Sequence, residues 1–169
     1  MARALVNDVH SKLNATPVDA VVAVDSIASI RRALEHARRA RKPVSICGGR
    51  HAMGGQQFCS GGLLLDTRRL SRVLDLDVER GLVEVEAGIQ WPALLRDLEA
   101  CPLTFAQKQT GADELSIGGA VSANVHGRGL TMRPFVADVE SLVVVRADGR
   151  PVRCSRSEQP ELFRLVVGG

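Results

Sequence analysis

Residues 47–56 read Cys-Gly-Gly-Arg-His-Ala-Met-Gly-Gly-Gln, the densest run of chemistry-bearing residues in the chain. Glycines let backbone amides converge on anionic oxygens with no Cβ in the way. The imidazole of His51 adds a donor, base or nucleophile. The run therefore reads as a phosphate-cradling loop or, more plainly, as a structural turn. A nicotinamide-type fingerprint fails, because Arg50 stands where the second glycine is required and no helical period follows. A second constellation starts at Thr110-Gly111 and continues through Ser116-Ile117-Gly118-Gly119-Ala120-Val121-Ser122-Ala123-Asn124-Val125-His126-Gly127. Small side chains admit a planar ligand, and they equally serve close packing of a helix on a sheet. Cys47, Cys59, His51 and His126 are of metal-ligating type, but their spacing matches no compact zinc module, so no metal site is expected. Asp113-Glu114 is a carboxylate pair that reads as loop solvation rather than as a base.

These loops need elements to position them. The pattern predicts a short helix over residues 2–14 with Ala4, Leu5, Val9 and Leu13 inward, broken at Thr16-Pro17. A strand follows over Ala20 to Val24. A helix then begins after the N-cap Ser26, with Ile27, Ile30, Leu34 and Ala37 as its apolar stripe. Pro43 to Ile46 and Leu63 to Asp66 are strands on either side of the first glycine loop. Alternation through Leu74, Leu76 and Val78, the turn Glu79-Arg80-Gly81, and Val83 to Glu86 make a hairpin. Trp91, Leu94, Leu95 and Leu98 mark an amphipathic helix with Pro92 in its first turn and the tryptophan in the core. A last hairpin runs from Leu142 to Arg146, turns at Asp148-Gly149 and resumes at Val152, and a terminal helix spans Glu161 to Val166.

The 169 residues suit one domain or two small subdomains sharing a core. The expected class is α+β, divided into an N-terminal extension 1–16, a first α/β subdomain 17–71 and a second 72–169. Hydrophobic residues at 45% supply enough apolar surface for a core. Only five residues are aromatic, and the net charge is +3, which argues against an extended nucleic-acid surface. The basic cluster of Arg31, Arg32, Arg38, Arg39, Arg41 and Lys42 reads mainly as a solvated helix face. No membrane span or secretory leader is apparent and the four cysteines lack paired spacing, so a cytoplasmic protein with reduced thiols is expected.

From about Pro17 to Gly169 the sequence resembles the flavin-binding domain of the vanillyl-alcohol oxidase and para-cresol methylhydroxylase family. The landmarks, in order, are Gly48-Gly49-Arg50-His51, Leu65-Asp66 to Leu70, Val85-Glu86-Ala87-Gly88, Ile117-Gly118-Gly119 to His126-Gly127, Ala147-Asp148-Gly149, and Glu161-Leu162-Phe163. The resemblance implies an FAD-binding PCMH-type domain with FAD as cofactor. It places Gly48, Gly49, Arg50, His51, Ala52 and Gln56 at the pyrophosphate and flavin, and Gly111, Gly118, Gly119, Ser122, Ala123, His126 and Gly127 around the flavin and its ribityl chain. His51 falls where many members attach the flavin covalently, although Arg50 and Ala52 replace the usual flanking glycine and serine.

The implied activity is oxidation of an alcohol, sugar or lactone by hydride transfer to FAD. Relatives continue beyond the position of Gly169 into a substrate domain, so the chain is expected to be truncated before that domain and inactive alone, with its catalytic residues elsewhere. The competing expectation is a non-catalytic flavin-binding module, with a possible partner chain supplying the substrate side.

Overall fold

The computed structural model describes residues 3–109, 111, 113–127, 129 and 131–168. The chain opens with two short strands, β1 (Ala4–Val6) and β2 (Thr16–Val18), paired antiparallel. The helix expected over residues 2–14 is therefore replaced by a strand and a polar loop; Ala2 lies outside the described residues. The physical reason lies in two side chains that compete with helical hydrogen bonding. Asn7 Oδ1 accepts from the amides of Asp8 (2.9 Å) and Asn14 (3.0 Å), and Asp8 Oδ1 accepts from those of His10 and Ser11 at 3.0 and 2.6 Å. Leu5 and Leu13, read as inward, are 73% and 87% exposed.

Next come β3 (Ala20–Ala23), the helix α1 (Ile27–Ala40), β4 (Val44–Cys47) and β5 (Leu63–Asp66). β5 lies between the other two strands and is parallel to both. A strand with neighbours on both edges and cover on both faces needs continuous apolarity rather than alternation, and all four residues of Leu63–Asp66 are buried. Two small cores flank it. Val6, Val18, Cys47 and Leu64 form one, and Val24, Ala33, Leu65 and Leu70 the other. Ser26 caps α1 in a reciprocal arrangement with Ser29. The residues that α1 buries are Ala33 and Ala37, whereas Ile27 is exposed.

The hairpin β6 (Val73–Asp77) and β7 (Leu82–Val85) is followed by α2 (Trp91–Asp97). Trp91 is fully buried and meets the edges of Phe105 and Phe135 at ring centroid distances of 5.1 and 5.7 Å. A short helix α3 (Ile117–Ser122) lies in the second small-residue segment and was not marked by periodicity. After a 3-10 turn at Phe135–Asp138 come the hairpin β8 (Ser141–Val145) and β9 (Pro151–Ser155), and the helix α4 (Pro160–Val166).

The arginines of α1 are not all solvated. Arg31 Nε donates to the carbonyl of Gly149 at 2.7 Å and Arg38 to that of Ala147 at 2.9 Å, docking the first α/β unit on the β8–β9 turn.

Candidate functional site

The first glycine loop leaves the C-terminal end of β4, where parallel sheets present their connecting loops to ligands. Gly48 and Gly49 are glycines for a packing reason. A Cβ on Gly48 would occupy the position of the Ser116 hydroxyl, and one on Gly49 would strike the carbonyl of Glu114 and the His51 ring. The two small-residue segments are thus pressed together, 48–49 against 114–116. Arg50 follows with φ at 60°, a left-handed conformation that costs a non-glycine residue roughly 1–2 kcal/mol. Its carbonyl accepts from the amide of Val9 at 3.1 Å, and its guanidinium reaches the Asp66 carboxylate at 3.5 Å.

What this backbone leaves over is a row of donors. Among the described residues, the amides of Gly49, Arg50, His51, Ala52 and Met53 donate to no protein acceptor. In the same loop, buried Arg50 Nε, His51 Nε2 and Gln57 Oε1 have no hydrogen-bond partner. Unpaired buried polar atoms are rare and costly in a finished structure. Five unengaged consecutive amides and two such side-chain nitrogens in one loop are donors of the kind an anionic group takes up. Ala52 also turns the loop, its carbonyl accepting from Gly55 and from Gln57 Nε2 at 3.3 and 3.1 Å. Gln56 is exposed.

Asp66, at the end of β5, anchors this loop from below and is 6% exposed. Arg68 grips it in a fork, Nε to Oδ1 at 2.9 Å and NH2 to Oδ2 at 2.5 Å. Burial pushes the Asp66 carboxyl up, but the Arg68 hydrogen bonds and the charges of Arg68 and Arg50 outweigh it and hold it below the ordinary carboxylate value. Burial pushes the neighbouring Cys47 thiol up, against the opposing pull of Arg50, and so away from the reactive thiolate form.

The second segment behaves differently. Ser116 caps α3 by accepting from the amide of Gly119 at 3.2 Å, the amide of Ile117 donates to Ile89, and that of Gly118 donates to Ala87 at 2.7 Å. A Cβ on Gly118 would come within 2.9 Å of Ala87. The start of α3 is therefore spent on packing against residues 87–89. Gly111 is exposed, in a left-handed turn with φ at 85°. Ser122 and Ala123 are exposed at the end of α3, and His126 is exposed with Nδ1 3.1 Å from the Gly127 carbonyl. The backbone site at Gly127 faces the carbonyl of Lys108. Thr110, which opened this constellation in the sequence, lies outside the described residues. Asp113 pairs with Lys108, and Glu114 matters through its carbonyl, which faces Gly49 and accepts from Gln90 at 2.5 Å. Among the described residues, no cluster of three metal-ligating side chains occurs, and no helix is long and apolar enough to cross a membrane.

A comparison of the sequence with known families matches residues 18–155 to the FAD binding domain. The chain belongs to this family. Its cofactor is FAD, and the resemblance to the flavin-linked oxidases drawn from the ordered landmarks holds. L-gulonolactone oxidase of Mus musculus is 29% identical over 141 residues, covering 83% of this chain and 32% of the relative. L-gulono-1,4-lactone dehydrogenase of Mycobacterium tuberculosis is 30% identical over 149 residues, covering 88% and 34%. Among solved structures, 6-hydroxy-D-nicotine oxidase from Arthrobacter nicotinovorans superposes with a TM-score of 0.73 at 20% identity, over 88% of this chain and 32% of that one. That likeness speaks for the α+β fold. The chain spans about a third of the length of the curated relatives it matches.

Sequence reasoning missed two residues that the structure brings to the first glycine loop. Gln57 carries the third unpaired atom of the loop and directly follows the Gly-Gly-Gln run, a signal that was in view. His10, whose Nε2 lies 2.8 Å from His51 Nδ1, sits in the segment read as a helix, and no motif marks it.

Proposed function

We propose that this chain is the cofactor-holding portion of an oxidoreductase that oxidises a CH–OH group of a sugar or lactone. The observation that carries the reading is the run of unengaged amides from Gly49 to Met53 beside the unpartnered Arg50 Nε and His51 Nε2. These amides would hold the FAD pyrophosphate, because fixed N–H dipoles stabilise anionic oxygens without rearranging. The guanidinium of Arg50, tethered at Asp66, adds positive charge at the same edge. His51 would lie at the flavin, and the segment from Gly111 through Gly118, Gly119, Ser122, Ala123, His126 and Gly127 would line its other side. Bound FAD supplies the hydride acceptor.

The lactone reading draws on relatives named as gulonolactone oxidases and dehydrogenases. Their greater length is consistent with substrate contacts supplied by residues outside this chain or by a partner chain. Hydride transfer needs the reacting carbon about 3–3.5 Å from its acceptor, a constraint that a cofactor half does not impose alone.

Fluorescence titration of FAD into the full chain tests the binding, with acid precipitation of the complex as a second reading. Saturable binding with all flavin released by acid is expected, since Arg50 and Ala52 alter the residues flanking His51. Yellow precipitated protein that His51→Ala turns colourless would instead establish a covalent histidyl link. Absence of saturable binding would sink the reading.

A further inference from the structure

The residues that grip the first glycine loop from outside lie in a segment that precedes the matched family region, which begins at residue 18. The segment is a tight polar knot. Asp8 is 2% exposed, and its carboxylate accepts from Ser11 Oγ at 2.8 Å and Asn14 Nδ2 at 2.9 Å as well as from the amides of His10 and Ser11. Asn7 closes the other side, donating from Nδ2 to the Lys12 carbonyl at 2.8 Å. Besides a long contact of 3.5 Å from Ser11 Oγ to the Met53 carbonyl, this knot touches the glycine loop at three points. The amide of Val9 donates to the carbonyl of Arg50 at 3.1 Å, Asn14 Nδ2 donates to that of Met53 at 2.6 Å, and His10 Nε2 meets His51 Nδ1 at 2.8 Å. The first two contacts flank the unengaged amides and take up carbonyls only. The third acts on the one side chain whose ring nitrogen, Nε2, is buried and unpartnered beside Gly49.

We propose that the loop from Asn7 to Asn14 is part of the FAD site and that His10 positions His51, holding its ring with Nδ1 outward and Nε2 turned into the glycine loop. This inference rests on the FAD reading above. One proton lies between the two facing nitrogens, and with it on either ring the hydrogen bond holds the orientation of the His51 ring. An imidazole on a half-buried loop with no such partner turns about χ1 and χ2, and binding a ligand must then first order it. The buried Asp8 carboxylate keeps His10 in reach: it binds the backbone of the turn and leaves the His10 ring free to face His51.

The test is FAD affinity of the full chain as wild type, His10→Ala and His10→Gln, together with the imidazole ¹⁵N spectrum of His51. His10→Ala is expected to weaken FAD binding about tenfold, because binding must then order the His51 ring. The Gln amide reaches where His10 Nε2 stood and is expected to recover most of that loss, which a purely structural role would not allow. The Nδ1 resonance of His51 should move in the Ala variant. Unchanged affinity in His10→Ala, failure of Gln to recover it, or an unmoved His51 resonance would each overturn the role of His10 while leaving FAD binding in place. No FAD binding by the wild type would overturn the FAD reading and this inference together.

Discussion

Two glycine-rich segments touch at 48–49 and 114–116, and their glycines serve opposite ends. In the first, the glycines let the loop approach Glu114 and Ser116, and the amides that follow, from Gly49 to Met53, remain unengaged. In the second, the amides of Ile117, Gly118 and Gly119 are all taken, and the missing Cβ of Gly118 makes room for Ala87. Glycine content alone does not distinguish a ligand cradle from a packing seam. The fate of the amides does.

Substitution at each segment should therefore fail in a different way. The largest effect is expected at Gly118→Val, where even the first added carbon meets the Ala87 Cβ and carbonyl. Overpacking of this kind costs about 2–3 kcal/mol, and a urea titration should show it as a lower midpoint. An unchanged midpoint would remove the packing role and erase the contrast. Gly49→Val comes next. Its side chain pushes on the Glu114 carbonyl and tilts the amides behind it, so FAD affinity should fall at least about tenfold, or 1.4 kcal/mol. A folded Gly49→Val variant that titrates FAD like the wild type would take this loop out of the site.

The smallest effect concerns acid. The Asp66 carboxyl is held below the ordinary value, so the stability it lends the base of the first loop is fully present above the unfolded value of about 3.9 and is lost as pH falls through the folded one. Unfolding followed from pH 6 downward should show the wild type losing stability below about pH 4. Asp66→Asn should be weaker throughout and flatter in that window. Equal slopes would mean that the Arg68 fork does not anchor the loop.

Much of the frame was legible because burial writes a simple pattern. The uninterrupted Leu63 to Asp66 run marks a strand covered on both sides, and Ser26 ahead of an apolar stripe marks a helix start. The position of the first glycine loop followed from the strands around it. Illegible were the features set by side chains that capture backbone. Asn7, Asp8 and Asn14 turn an apparently amphipathic segment into a knot, and nothing in the spacing of Ala4, Leu5, Val9 and Leu13 reveals that competition. α3 was hidden for a related reason: Gly118 and Gly119 weaken helix propensity, and the helix exists because the carbonyls of residues 87 and 89 and the Ser116 hydroxyl receive its first amides.

The docking of Arg31 and Arg38 on the carbonyls of Gly149 and Ala147 has a kinetic side. The partners are 118 and 109 residues apart in the chain, so each contact closes a very long loop, and such closures form only after shorter-range structure has gathered the ends. The first α/β unit can assemble from contacts within residues 16–70 before the last hairpin arrives. The two arginines then act as a late clasp: their loss should hasten unfolding and leave the rate of folding nearly as it was.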